Sequence, residues 1–278
     1  MKRFRKIYFE ISNVCNLNCA FCPGTRRKPA VMQEDAFCRL LDRLRGWTDY
    51  LYFHLMGEPL CHPYLEKYLA HAAADFKVIL TTNGTLLPQK QDMLLSAEGL
   101  HKVNISLHSF EANDIATSFE DYLSGCFSFG QAAQGKKIVC YRLWNQGGAN
   151  EKNDAILKLM KQYFPDPWIQ EPRGTRIGQR VYLEYGDKFD WPSLTAPEQT
   201  GKCFCYGLKD QLGILCDGTV VPCCLDHDGD IPLGNLLLQP LDEILNSPKA
   251  TAIYEGFRIG KAEENLCKRC EYAQRFNK

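Results

Sequence analysis

The chain has 278 residues, 45% apolar and 24% charged, which excludes a disordered or collagen-like polymer and suits one large or two unequal domains. Lys and Arg number 33, as do Asp and Glu, so the basic surplus that phosphate contacts demand is missing and nucleic acid is not an expected partner. No apolar run reaches the 18 residues of a membrane span, and the basic start MKRFRKIYFE lacks the apolar core of a signal peptide, which points to the cytoplasm.

Lys6–Ser12 (KIYFEIS) is the first expected strand. Phe37, Leu40, Leu41 and Leu44 share one face of a helix over Gln33–Gly46, the i, i+3, i+4, i+7 spacing of an amphipathic helix. A strand at Tyr50–Leu55 and a helical face at Leu65, Tyr68, Leu69 and Ala72 follow. Strands are expected at Lys77–Thr82, Lys102–His108, Lys137–Leu143 and Arg180–Tyr185, with helices near Gln89–Ala97, Tyr122–Ala133 and Asn153–Phe164. Strands alternating with helices imply parallel βαβ units, too few here for a closed eight-fold barrel. An open, incomplete barrel and a doubly wound sheet both fit, and either places chemistry on loops after the carboxyl ends of the strands.

The pattern changes after Tyr185, where GDKFDWPSLTAPEQTG reads as a linker. A second, smaller domain over residues 186–278 follows the first over 1–185. It has a hairpin signal at Asp217-Gly218 and short helices at Pro240–Asn246 and Ala250–Phe257.

Fourteen cysteines in a cytosolic chain read as metal-binding or catalytic. Cys15, Cys19 and Cys22 fall within eight residues after the first strand, without the x2, x2, x3 gaps of a ferredoxin run and without a fourth cysteine nearby. Three thiolates on a four-iron cluster leave one iron open to a small molecule. A zinc site completed by a distant residue is the alternative.

The segment VCNLNCAFCP resembles the CxxxCxΦC signature of the radical S-adenosylmethionine (SAM) superfamily, with Phe21 at the aromatic position. The resemblance implies a partial (β/α)6 TIM-like barrel and a [4Fe–4S] cluster on Cys15, Cys19 and Cys22. It also implies SAM bound at the open iron, the backbone of Phe21 at the adenine, and reductive cleavage of SAM to a 5′-deoxyadenosyl radical that abstracts hydrogen from substrate. Met56-Gly57-Glu58-Pro59 sits where the family carries a Gly-Gly-Glu segment beside the SAM ammonium, so Gly57 and Glu58 are SAM candidates although Met56 replaces the first glycine. Asn83, Ser106 and His108 are weaker candidates for the SAM pocket. Arg142 and Asn145 are candidates for its carboxylate or ribose. Arg26-Arg27-Lys28 reads as a solvated loop rather than an anion site.

Seven cysteines lie beyond residue 200. DGTVVPC, LGN and the Cys267-x2-Cys270 pair resemble the SPASM/twitch extensions of the superfamily. The shorter twitch form implies one auxiliary [4Fe–4S] cluster on Cys205, Cys223, Cys267 and Cys270, making two clusters in all, with Cys203 as the substitute for Cys205 and a zinc ribbon as the alternative. Cys216 stays unassigned. Cys224 is a candidate hydrogen donor set against a buried-thiol reading. Cys38, Cys61, Cys126 and Cys140 read as core.

Substrates of such relatives are peptides, or small polyols and amino sugars. The 14 residues before Cys15 leave no room for a leader-peptide recognition domain, which favours the small molecule without excluding the peptide. An external reductant such as flavodoxin or ferredoxin completes the expected partners. A two-cluster electron carrier without SAM chemistry is the competing function.

Overall fold

The computed structural model describes residues 4–172 and 174–276. In chain order, β1 (Lys6–Phe9), α1 (Glu34–Leu44) and β2 (Tyr50–Phe53) are followed by α2 (Leu65–Ala72), β3 (Lys77–Thr82), α3 (Leu87–Ser96) and β4 (Leu100–Ser106). Then come α4 (Phe119–Ala133), β5 (Ile138–Gln146), α5 (Asn153–Tyr163), β6 (Ile169–Glu171), β7 (Gly174–Gly178) and β8 (Val181–Asp187). The remainder holds β9 (Gln211–Ile214), β10 (Thr219–Val221), β11 (Gly234–Asn235), α6 (Leu241–Leu245), α7 (Pro248–Arg258) and α8 (Asn265–Lys268). The fold class is mixed α/β with parallel strands, as the alternation of periods predicts.

The chain divides into two compact units. One comprises the described residues of Met1–Val14, Pro23–Gly57 and Phe189–Lys278. Its strands run in the order β11-β10-β9-β1-β2, with β1 parallel to both β2 and β9. The hairpin expected at Asp217-Gly218 is formed by β9 and β10. Residues beyond 188 therefore share a unit with the first strands rather than forming a separate body. Ile7 and Phe9 point to the α1 side of the sheet, where Phe37 packs edge-on against Phe9 at 5.5 Å and Phe53 at 5.9 Å. The four apolar residues predicted for one face of α1 are all buried, at about 1.5–3 kcal/mol each for full burial. On the other face Tyr8 meets Tyr52 at 5.4 Å and His54 at 6.0 Å between ring centres.

The second unit comprises Cys15–Cys22 and the described residues of Glu58–Lys188. Its strands run β3-β4-β5-β8-β7-β6, the first four parallel and the last two antiparallel additions. Tyr141 of β5 lies between Phe127 and Phe164 and donates its hydroxyl to the carbonyl of Cys126 at 2.9 Å. Cys126 and Cys140 are fully buried in this core. The β6–β7 hairpin was not expected, because IQEPRGTRIG is short, polar and interrupted by Pro172, so it carries no alternating apolar pattern. Among the described residues, no helix is long and apolar enough to cross a membrane.

Candidate functional site

Loop Cys15–Cys22 is irregular backbone held by asparagines. The amide of Asn113 donates to Cys19 Sγ at 3.0 Å, and its oxygen accepts from the backbone of Asn18 at 2.9 Å. Asn83 donates to Asn16 at 2.9 Å with its nitrogen 4.0 Å from Cys15 Sγ, and Asn16 in turn donates to Thr85 at 2.9 Å. Ala20 N bonds Ala112 O at 3.1 Å, and Cys22 N bonds Cys19 O at 2.9 Å. Cys15 is exposed, and Cys19 and Cys22 are half-exposed. Burial pushes the Cys15 and Cys19 thiols up, and each feels Cys22, so the three sulfurs converge. The raised Cys15 and Cys19 thiols would be held as thiolates by a bound cation, which is what iron does to a ligand set. The donor set fits a cluster.

Phe21 and His108 stand ring to ring at 5.0 Å. His108 Nδ1 lies 3.1 Å from the carbonyl of Arg142, and burial presses this imidazole down to about 4, so it is neutral at physiological pH. Glu58 is almost fully buried just after β2. Its carboxyl accepts from Leu60 N at 3.0 Å and Asn83 N at 2.7 Å. Burial pushes it up to about 7, against the pull of those two bonds and of a third from the Thr82 side chain. A carboxylate offers about four acceptor sites, so about one remains for a ligand ammonium. Gly57 has φ +77°, and a Cβ there would strike the carbonyl oxygens of Ser12 and Val14, so only glycine allows this turn to pack against that backbone.

Arg142 reaches Glu184 at 3.6 Å, Lys102 reaches the same carboxylate at 3.3 Å, and the Arg142 guanidinium lies 4.4 Å over Trp144. Ser106 pairs with Arg142 across β4 and β5, on the same face. Asn145 alternates to the other face, and its amide is bonded to the carbonyl of Ala149 at 2.8 Å and to Asn153 at 3.0 Å. A cavity of about 400 Å³ lies beside Trp144, Gln170, Thr175, Glu184 and Tyr185. Asn113, Lys102 and Glu184 were missed by sequence reasoning. Asn113 carries no periodic signal, but a Lys and a Glu inside strands are a detectable anomaly.

In the other unit Cys223 feels Cys224, Cys205, Cys267 and Cys270, and burial is the main reason its thiol lies well above the ordinary range. Burial and neighbouring sulfurs push Cys205 up to about 12 and Cys270 to about 11. Cys203 also lies within reach of Cys205, Cys267 and Cys270. This is again a donor set that fits a polynuclear group. Among the described residues, no three His, Cys, Asp or Glu side chains close around a single metal ion. Cys224 faces Tyr8, with which it shares a hydrogen bond. Cys216 lies away from these sulfurs, beside Glu10 and Arg27. Cys61, expected in the core, is half-exposed and feels Glu58 and Cys15. Arg26 is bonded to Asp228 and Asp230 at 2.7 Å each, and Arg27 to Glu10, so these two arginines are not a free solvated run.

A match to the radical SAM superfamily covers residues 9–165, and one to an iron–sulfur cluster-binding domain, SPASM, covers residues 203–271. The GTP 3′,8-cyclase of Synechococcus sp. (strain WH7803) is 29% identical over 221 residues, which are 70% of this chain and 60% of that relative. The chain thus spans less than two thirds of that relative's length. The S-adenosyl-L-methionine-dependent 2-deoxy-scyllo-inosamine dehydrogenase of Niallia circulans is 22% identical over 283 residues, 97% of this chain and 93% of its own. The crystal structure of Streptococcus suis SuiB bound to precursor peptide SuiA superposes with a TM-score of 0.65 at 14% identity, over 99% of this chain and 74% of SuiB, and shows the same fold. The first match implies SAM and a [4Fe–4S] cluster, and the second implies further iron–sulfur binding. With three converging thiols in the loop after β1 and a superfamily match over more than half its length, the chain belongs to the radical SAM superfamily of enzymes.

Proposed function

We propose that the enzyme binds SAM over loop Cys15–Cys22 and uses it to abstract hydrogen from a substrate C–H bond. When bound, a [4Fe–4S] cluster with one open iron supplies one-electron cleavage of SAM to a hydrogen-abstracting 5′-deoxyadenosyl group. Cys15, Cys19 and Cys22 would hold that cluster, and Cys205, Cys223, Cys267 and Cys270 an auxiliary one. Gly57 lets the turn before Glu58 lie against the backbone of Ser12, Asn13 and Val14, just ahead of the cysteine loop. Glu58 presents its carboxylate to the SAM ammonium, which would draw off the proton that burial lets it keep near pH 7. Phe21 and neutral His108 offer two uncharged ring faces, tilted by 42°, to adenine, while Asn83, Ser106 and Arg142 would meet the polar groups. The Asn145 amide is already bonded within its own turn, and we give it a supporting role. Functionally, residues 1–185 and 186–278 would serve SAM and auxiliary chemistry respectively.

The observation that carries this reading is the convergence of the three cysteines of the loop in one unit with Glu58, Asn83 and His108. The favoured substrate is a small polyhydroxylated or amino-sugar-like molecule, because the dehydrogenase relative matches almost end to end. A peptide is the second reading, supported by the likeness to SuiB with its precursor peptide. The reaction needs a one-electron reductant of the flavodoxin or ferredoxin kind and a reducing, cytoplasmic setting for so many thiols.

The test is anaerobic reconstitution with iron and sulfide, then SAM and dithionite. We expect 5′-deoxyadenosine, and deuterium transferred into it from a labelled polyol rather than from a labelled peptide. Absence of 5′-deoxyadenosine would leave only the electron-carrier reading. We further propose Cys224 as a hydrogen donor, because its thiol, although buried, shares a hydrogen bond with Tyr8 rather than having only apolar neighbours. Cys224→Ala is expected to leave 5′-deoxyadenosine formation intact while changing the product or its stereochemistry. An unchanged product would remove Cys224 from the chemistry.

A further inference from the structure

The Glu10 carboxylate is fully buried at the end of β1, where it accepts four hydrogen bonds. Oε1 accepts from Arg27 Nη1 at 2.7 Å and from the backbone of Cys216 at 3.1 Å. Oε2 accepts from Arg27 Nη2 at 2.7 Å and from the backbone of Met56 at 3.3 Å. Arg27 donates its Nε–H to the carbonyl of His227 at 2.9 Å. A bidentate guanidinium–carboxylate pair has a fixed planar geometry that an ammonium cannot reproduce. A charge buried this deeply tolerates no loss of its partner.

The consequence lies at Met56. Its N–H is held from one side by Glu10, and the next residue, Gly57, is pressed from the other side against the backbone of Ser12, Asn13 and Val14. The same stretch is pinned by Ser12 Oγ to Ala30 O at 3.2 Å and by Asn13 Nδ2 to Lys28 O at 2.9 Å. The start of the turn that carries Gly57 and Glu58 is thus tied, through the Met56 N–H, to the carboxylate that the Arg27 guanidinium holds.

We infer that the Glu10–Arg27 ion pair is a positioning element for the Met56-Gly57-Glu58 turn, and that it sets SAM affinity through the Met56 N–H rather than by touching SAM. The inference rests on the reading of that turn as part of the SAM site. Glu10 and Arg27 are positioning residues, not catalytic ones. Arg26, one residue away, makes surface pairs with Asp228 and Asp230 and has no bond to this turn, so it serves as the control.

The experiment uses the full chain in two states. In the iron-free protein, hydrogen exchange at the Met56 amide is measured in Glu10→Gln, Arg27→Lys and Arg26→Ala. In the reconstituted protein, the SAM dissociation constant and the change in the reduced cluster's EPR signal on SAM addition are measured in the same variants and in Glu58→Gln. Glu10→Gln is expected to speed exchange and weaken SAM binding by about tenfold each, the weight of one hydrogen bond to a buried charge. Arg27→Lys should fall between Glu10→Gln and the parent, and Arg26→Ala should match the parent. Iron and sulfide content should stay level throughout. Unchanged exchange or unchanged SAM affinity in Glu10→Gln would overturn the inference while Glu58→Gln still weakens binding. If Glu58→Gln also binds SAM normally, the reading of the turn itself falls. Should Glu10→Gln fail to fold, Arg27→Lys carries the same comparison, since it keeps a positive charge beside the carboxylate.

Discussion

A chain with Cys15, Cys19 and Cys22 all replaced by alanine is expected to release no 5′-deoxyadenosine from SAM and dithionite. Its reconstituted iron content should fall by roughly four atoms, the content of one cubane. The fold should survive. All three thiols are exposed or half-exposed on irregular backbone, and surface substitutions of that kind usually change stability by less than about 0.5 kcal/mol. The loop's own ties run through Asn83, Asn113, Ala112 and Thr85, most of which do not involve sulfur. Loss of activity with an unchanged thermal midpoint would therefore isolate the ligand role from a folding role. Alanine at Cys223 and Cys267 should remove the other cluster and leave the first set of irons in place. If the triple variant still cleaved SAM, the assignment of these cysteines would be wrong.

Gly57→Ala is the second change with a large expected effect. The left-handed backbone at φ +77° costs an alanine about 1–2 kcal/mol. The added methyl would lie against the carbonyl of Ser12, 2.8 Å from the oxygen of Val14 and 2.9 Å from the carbonyl carbon of Asn13. These are backbone atoms that cannot swing away, so overpacking adds about 1–3 kcal/mol. A total of roughly 2–5 kcal/mol would be read as a lower denaturation midpoint, together with weakened SAM binding. Gly147→Ala is the matched comparison. It has φ +78° but nothing within 4 Å of a new Cβ, so it should show only the backbone part. Equal losses at the two positions would mean that close approach at Gly57 contributes nothing.

Much of this protein is written locally. The apolar spacing of Phe37, Leu40, Leu41 and Leu44 predicts α1 and its buried face, and the structure has both. The expected sixth strand at Arg180–Tyr185 is β8, shifted by a residue or two at its ends. The pairing of Asp217 with Gly218 marks the β9–β10 hairpin. The cysteines of the first site lie within eight residues, so their shared purpose is visible without knowing the fold.

Other features join residues far apart in the chain. Asn113 reaches Cys19 across 94 positions, and Glu10 accepts from Cys216 across 206. Glu10 was passed over inside an apolar strand, although a buried charge there was itself a signal. Helix α8, which carries Cys267, has only four residues and is too short to show a period. The neighbours of Cys61 were likewise invisible, since nothing in PLCHP says that it will lie near Cys15.

The sequence by itself determined the α/β alternation, the open three-cysteine loop and the second cysteine group, because periodicity and close spacing are local properties of the chain. Tertiary structure alone decided that β9 pairs with β1, that Asn113 holds Cys19, and that Arg27 and Glu10 clamp the turn before Glu58. A hydrophobic period says which face of an element must be buried but not which element will bury it. A polar side chain says what it can bond but not which partner will arrive, and that choice is made only when the whole chain packs.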